Sequence, residues 1–200
     1  KKPKKQFQLI DQSNHGKTIL FSSGTTSAPK QIIISLKAHL ESAKSSTQVL
    51  KLSKSSRYLH TLPLCHVSGL APLFRSLLAG SSLILDTKTT LYESLERNSI
   101  SHVSFVPTQL KRLLNEYTKP LKALKAVLIG GSFTPLSLVQ KAYEKKLPLF
   151  LSYGMTETAS MISCQNILET KNFLSSGKPL PHCKLTILKQ NQLAEHGVAK

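Results

Sequence analysis

Short apolar runs bounded by small polar residues, and apolar positions at three- and four-residue spacing, divide most of the chain into strands and amphipathic helices. Residues 17 to 21 (KTILF) form an apolar run of strand type, broken at once by the small-residue cluster SSGTTSAP. A second short run, Ile32 to Ile34, leads to Ser35 as N-cap of a helix whose apolar positions Leu36, Leu40, Ala43 and Leu50 follow helical spacing, so that helix is expected to lie on a sheet. SRYLHTLPL then reads as strand and turn, a helix follows near Leu70 to Ala79, and SSLIL at 81 to 85 reads as a buried strand.

From residue 100 the pattern becomes regular. HVSFV is a strand stopped by Pro107, and Thr108 is expected to cap a helix with Leu110, Leu113, Leu114 and Tyr117 on one face. KAVLIGG is a second strand, Thr134 and Pro135 form an N-cap and N1 pair opening a helix over 135–146, and PLFLSYG is a third strand. Strand, helix, strand, helix, strand at this spacing is a βαβαβ unit, whose crossovers demand parallel strands covered by helices. The fold class is therefore α/β, with layered mixed or parallel sheets and covering helices. Ligands of such sheets gather at the carboxyl ends of the strands, which here read IGGS and LSYGMTE.

Composition narrows the class. The chain has 200 residues, 27 Lys plus Arg against 10 Asp plus Glu, a formal net charge of +17, 40% hydrophobic residues and no Trp. That length buries about 70% of the unfolded surface, enough for a real core. No run of 18 apolar residues exists, and the basic start KKPKKQF is not followed by an apolar stretch, so neither a membrane span nor a signal peptide is expected and the location expected is cytoplasmic. Cys65, Cys164 and Cys183 lie far apart with no CxxC pair and read as reduced thiols. The charge raises a nucleic-acid reading, which the residues weaken: only four of the basic residues are arginines, and no aromatic–basic interleaving is present. A basic polyanion-binding module remains an alternative supported by charge alone.

Four segments carry candidate chemistry. FSSGTTSAPK, Phe21 to Lys30, has the composition of a phosphate cradle: Gly24 allows close backbone approach, Ser22, Ser23, Thr25, Thr26 and Ser27 offer hydroxyls, and Lys30 supplies a point charge. It is not a Walker loop, because Pro29 and Gln31 break the GxxxxGK[ST] spacing; a polar surface loop is the plain alternative. In LPLCHVSGLAPL, His66 reads either as a satisfied core histidine or as a residue on a pocket rim, with Gly69 permitting chain reversal. In IGGS and SYGMTETAS, Tyr153 suits stacking on a purine, Thr156 suits donation to a phosphate oxygen, and Glu157 suits a magnesium ion bridging phosphates, or else a helix N-terminal acid.

The order and spacing of these segments, with VPT at 106–108 and GKPLP at 177–181, resembles the adenylate-forming superfamily of acyl-CoA synthetases, peptide-synthetase adenylation domains and luciferases. The likeness extends from about Lys17 to Leu188. Within the superfamily the wording is most similar to the bacterial o-succinylbenzoate-CoA ligases of menaquinone biosynthesis. The resemblance implies an ATP-dependent carboxylate-CoA ligase: a carboxylate attacks the α phosphorus of ATP, giving acyl-AMP and pyrophosphate, and CoA then forms the thioester. It implies that Ser22, Ser23, Gly24, Thr25, Thr26 and Lys30 hold the departing pyrophosphate. Gly130, Gly131 and Ser132 would border adenine, with Tyr153 and Gly154 beside it. Thr156 would bind the α phosphate, Glu157 the Mg²⁺, and His66 would stand where the acyl and nucleotide pockets join. Thr156, Glu157, His66 and Lys30 are thus the expected catalytic set, ATP, Mg²⁺ and CoA the expected cofactor and co-substrates, and a small carboxylate the expected partner, with a homodimer left open.

The resemblance also implies a domain plan: a basic tail or linker over 1–16, and an incomplete adenylation-domain core over 17–200 with sublobes of about 17–95 and 96–180. Ser27 and Gln31 replace glycines of the family loop; at a position needing φ > 0 such a residue costs on the order of 1 kcal/mol or more and would distort the cradle. The expectation is a central piece of a larger enzyme, lacking the ribose-binding aspartate segment and the C-terminal domain with its lysine. Missing electrostatic contacts of that kind cost factors of about 100 to 1,000 each, so the piece alone is expected not to turn over. A degenerate nucleotide-binding relative without catalysis is the remaining alternative.

Overall fold

The computed structural model describes residues 16–22, 29–86, 89–186, 188–189 and 192–193. Strands β1 (Lys17–Ser22) and β2 (Lys30–Ser35) pair as an antiparallel hairpin, Lys17 opposite Ser35 and Ser22 opposite Lys30. The Ser35 hydroxyl accepts from the Ala38 N–H, capping α1 (Leu36–Val49) as predicted. The face α1 buries matches the predicted one only in part: Ala43 and Leu50 are buried. Leu36 and Leu40 are exposed, while His39, Ser42, Ala43, Ser45 and Ser46 are buried. This helix packs on α2 (Val67–Ala79), and small residues let the two backbones approach; the Ser46 hydroxyl is satisfied within its own helix, bonding to the Ser42 carbonyl at 2.7 Å.

The main sheet has seven strands. Besides β3 (Arg57–Leu59) and β4 (Ser82–Ile84) it holds β5 (His102–Phe105), β6 (Ala126–Ile129), β7 (Leu149–Met155), β8 (Ser160–Asn166) and β9 (Lys178–Pro179), in the order β4-β3-β5-β6-β7-β8-β9. Strands β4, β3, β5, β6 and β7 are mutually parallel; β8 pairs antiparallel with β7, and β9 antiparallel with β8. The predicted βαβαβ unit is β5, α4 (Pro107–Glu116), β6, α5 (Leu136–Glu144), β7. The period-2 alternation explains why its strands are apolar on both sides. Val103, Phe105, Val127, Ile129, Leu149 and Leu151 face a core formed with α3 (Leu91–Arg97), α4 and α5, whereas Ala126, Leu128 and Phe150 face the other layer with Tyr58, Met161 and Cys164.

Three boundaries differ from expectation. SSLIL forms the sheet's edge strand: Leu83 and Ile84 are half-buried, and Leu85 lies beyond the strand, exposed. The N-cap of α4 is Val106, not Thr108, because Pro107 has no N–H to lose and takes the first helical position; the Gln109 side chain accepts from the Val106 N–H. Helix α5 starts at Leu136 with Pro135 as an N-cap without a side-chain bond, so Thr134 does not cap it. Residues 95 and 96, the expected junction of the two sublobes, lie within α3, and the next strand, β5, is hydrogen-bonded to β3. Gln31 sits in extended backbone opposite Phe21, which removes the strain anticipated there; Ser27 lies outside the described residues. Cys65, Cys164 and Cys183 are unbonded, as expected. Among the described residues no helix is long and apolar enough to cross a membrane.

Candidate nucleotide and carboxylate site

The parallel strands deliver their carboxyl ends to one cavity of about 900 Å³. At the end of β6, Gly131 adopts φ +84, and a Cβ at Gly130 would stand 2.9 Å from the Ser152 hydroxyl, which donates to the Ile129 carbonyl at 2.7 Å. The two glycines make a thin shelf under a side chain leaning over from β7. Ser132 follows on the cavity wall, and Tyr153 faces it half-exposed.

Gly154 has a different reason to be glycine. At the irregularity between Tyr153 and Gly154 in the β7–β8 ladder, a Cβ would meet the Ser160 carbonyl oxygen at 2.1 Å. The pinch leads into a single 3-10 turn, Thr156–Thr158, closed by left-handed Ala159 at φ 54 and Ser160 at φ 110. The Thr158 hydroxyl accepts from the Met155 N–H at 3.0 Å, pinning the turn to the strand it leaves. Thr156 and Glu157 therefore line the cavity from a turn held on both sides.

Lys30 reaches the site from the hairpin. Its Nζ lies 3.7 Å from Glu157 Oε1, both side chains substantially exposed. Ser22 is the register partner of Lys30; Ser23, Gly24, Thr25 and Thr26 lie outside the described residues. His66 is exposed, precedes α2 as its N-cap and lines the cavity, so the pocket-rim alternative describes its position and the core-histidine one does not. A Cβ at Gly69 would stand 2.1 Å from the Pro63 carbonyl oxygen, so glycine is what admits the chain reversal there. The histidines that do occupy the core are His39, bonded to the Thr18 hydroxyl at 2.7 Å and stacked on Phe74, and His102, whose Nε2 donates to the Leu50 carbonyl at 2.9 Å. Burial lowers the pKa of both.

The sequence reading missed Arg75. It lines the cavity from α2 at 1% exposure, and among the described residues its guanidinium donates to hydroxyls: Ser46 at 2.9 Å, Tyr58 at 3.4 Å and Ser160 at 3.1 Å. No carboxylate pairs with it among the described residues. A signal was available, since Arg75 stands four residues after Ala71 on the buried face of an otherwise apolar helix. Nearby Cys164 is inert, its thiol pushed up to about 12 by burial although Arg75 opposes the shift.

Among the described residues no three His, Cys, Asp or Glu side chains converge on a metal position. A carboxylate on the cavity wall nonetheless fits Mg²⁺, which is commonly held by one or two carboxylates together with substrate phosphates. Glu157 is that carboxylate.

Known proteins with this sequence and fold are closely defined. The chain is 37% identical over 191 residues to the 2-succinylbenzoate–CoA ligase of Bacillus pumilus, covering 92% of this chain and 39% of that protein. The Escherichia coli enzyme of the same name is 34% identical over 171 residues, 86% of this chain and 36% of its own. In three dimensions the chain is similar to o-succinylbenzoate-CoA synthetase of Bacillus subtilis solved with AMP, at TM-score 0.82 and 35% identity over 88% of this chain and 38% of that one. The same Bacillus enzyme has been solved with the acyl-adenylate OSB-AMP and with ATP and a magnesium ion. The chain thus spans about two fifths of the length of the curated relatives it matches. Residues 2–199 match the AMP-binding enzyme family, and the chain belongs to it.

Proposed function

We propose that this chain supplies the phosphate, adenine and acyl pockets of an AMP-forming 2-succinylbenzoate–CoA ligase, with residues 17–200 as part of its adenylation domain. The observation that carries the reading is a single cavity that places Arg75 on its wall together with the Thr156–Glu157 turn, which Lys30 meets from the hairpin. A succinylbenzoate has two carboxylates. One must be free to attack the α phosphorus, and the other must be held as an anion away from it, which a buried guanidinium without an acidic partner does well.

In this proposal Gly130, Gly131 and Ser132 border the adenine and Tyr153 stacks on it; Gly154 lets Tyr153 stand at the pinch between β7 and β8. Thr156 donates to the α phosphate, Lys30 exchanges its partner Glu157 for the β and γ phosphates, and Glu157 turns to Mg²⁺. Bound there, the metal neutralises phosphate charge. Attack of the carboxylate oxygen on the α phosphorus breaks the α–β P–O bond, releasing pyrophosphate. His66, exposed at the junction, lies beside the acyl carbon that the CoA thiol then attacks with loss of AMP. Positioning and charge neutralisation suffice for such a transfer, and no protein nucleophile is required.

The test is calorimetric binding of a stable 2-succinylbenzoyl-AMP mimic. It is expected to bind at least about tenfold more tightly than the same mimic with its free carboxylate methylated, 1.4 kcal/mol by the usual conversion. In Arg75→Met the two should bind equally. Equal binding to the unaltered chain would overturn the reading.

A further inference from the structure

The +17 charge is not spread evenly over the parallel sheet. Strands β3, β4, β5, β6 and β7 all run the same way, so the segments leading into them gather on one edge, the edge away from the cavity. Lys51 and Lys54 precede β3, Lys122 and Lys125 precede β6, and Lys145 and Lys146 precede β7, all exposed. Residues 50–56, 80–81, 98–101, 117–125 and 145–148 contain no acid at all. A seventh lysine there, Lys119, is paired with Glu96 at 2.9 Å. Among the described residues at the other edge, the outgoing segments 60–66, 130–135 and 155–158 carry Glu157 and no lysine, while Asp86, which follows β4, bonds to Arg97 at 2.6 Å and Asn98 at 2.8 Å.

The same basic edge carries apolar side chains in water. Helix α2 ends there as it turns into β4, leaving Leu77 69% and Leu78 48% exposed. The helix end that carries them lies near Lys54, since a Cβ at its C-cap Gly80 would lie 3.3 Å from the Lys54 side chain. Six exposed lysines in segments without an acid, with two exposed leucines on the same edge, match an anionic lipid surface: ammonium groups meet headgroup phosphates and the leucines enter the acyl boundary. A nucleic acid would be met better by free arginines and stacking aromatics; here Arg57, which opens β3, donates to the Asn98 carbonyl at 2.6 Å, Arg97 is paired with Asp86, and Tyr117 lies under Lys145.

We propose that the amino edge of the sheet docks on anionic bilayers, leaving the cavity mouth open to the aqueous phase. This goes beyond the ligase reading and does not depend on it. The test is co-sedimentation of the full chain with vesicles of phosphatidylcholine alone or with 30% phosphatidylserine, at about 0.1 M salt. The anionic vesicles should bind at least about tenfold more protein. Reversing Lys122, Lys125, Lys145 and Lys146 to Glu should abolish the difference, and L77S/L78S should lower binding several-fold, with circular dichroism melts confirming folding. Exchanging Lys1, Lys2, Lys4 and Lys5 for Ser should leave most of it. Should the first variant unfold, Lys51→Glu with Lys54→Glu is expected to halve the binding at least. Equal binding to both vesicles, loss of all binding with the Lys1–Lys5 exchange, or indifference to the leucine changes together with tighter binding to duplex DNA would each overturn the proposal.

Discussion

A guanidinium at 1% exposure loses several kcal/mol of hydration, and hydroxyls return less of it than a carboxylate would. Arg75 is therefore a side chain that its own fold does not require. Two of the hydroxyls around it have other partners: Ser46 donates to the Ser42 carbonyl, and Tyr58 pairs with Ser104 at 2.6 Å. Arg75→Met is accordingly expected to keep the melting temperature within about 4 °C of the unaltered chain, or to raise it, while losing preference for a dicarboxylate ligand. A fall of 10 °C in a thermal melt would mean the arginine is structural. Glu157 gives the complementary case. Its pair with Lys30 is exposed, so Glu157→Gln should change stability by less than about 1 kcal/mol in urea titrations. The same change should weaken Mg²⁺-ATP binding about tenfold and leave metal-free AMP binding alone. These two residues differ in legibility. Glu157 stood in a motif, whereas Arg75 became meaningful only when tertiary packing put α1, β3 and β8 around it.

Strand β7 and its pinch against β8 show how an element sets the site. The Cβ that Gly154→Ala would add lies 2.1 Å from a backbone oxygen, which cannot rotate away, so the substitution should cost roughly 3 kcal/mol and displace the Thr156 turn. Gly131→Ala is the control: its Cβ would meet only Val106 at 3.5 Å, leaving a left-handed φ penalty of about 1 kcal/mol. Chemical denaturation of both variants measures the contrast, and equal losses would remove the pinch argument. At this scale the βαβαβ unit was readable because its strands and helices differ in period and are punctuated by Pro107, Gly130 and Pro135. The buried face of α1 was readable only in part. Leu36 and Leu40 suggested one stripe, but the partner is a helix met over serines, an alanine and His39, which stacks on Phe74.

Across the molecule, pH reports on the two core histidines. Their folded pKa values lie below the ordinary 6.5, so between those values and 6.5 the unfolded chain binds protons the folded chain refuses. Stability is complete above about pH 6.5 and is lost as pH falls through the folded values. Urea midpoints are expected to drop between pH 7.5 and 5, and His102→Gln, which retains a donor for the Leu50 carbonyl, should flatten the slope. An unchanged slope would show that carboxylates alone set the acid response. Sequence alone determined the α/β class, the order of strands and helices through β7 apart from the short helix α3, which it did not read, and the loops proposed to carry chemistry, because periodicity, proline and glycine act over a few residues. Tertiary structure decided what those loops share: that Lys30 meets Glu157, that His66 faces the cavity while His39 and His102 fill the core, that Arg75 is buried without an acid, and that scattered lysines gather on one edge. Each depends on residues far apart in the chain being brought together by parallel strand pairing, which no local pattern encodes.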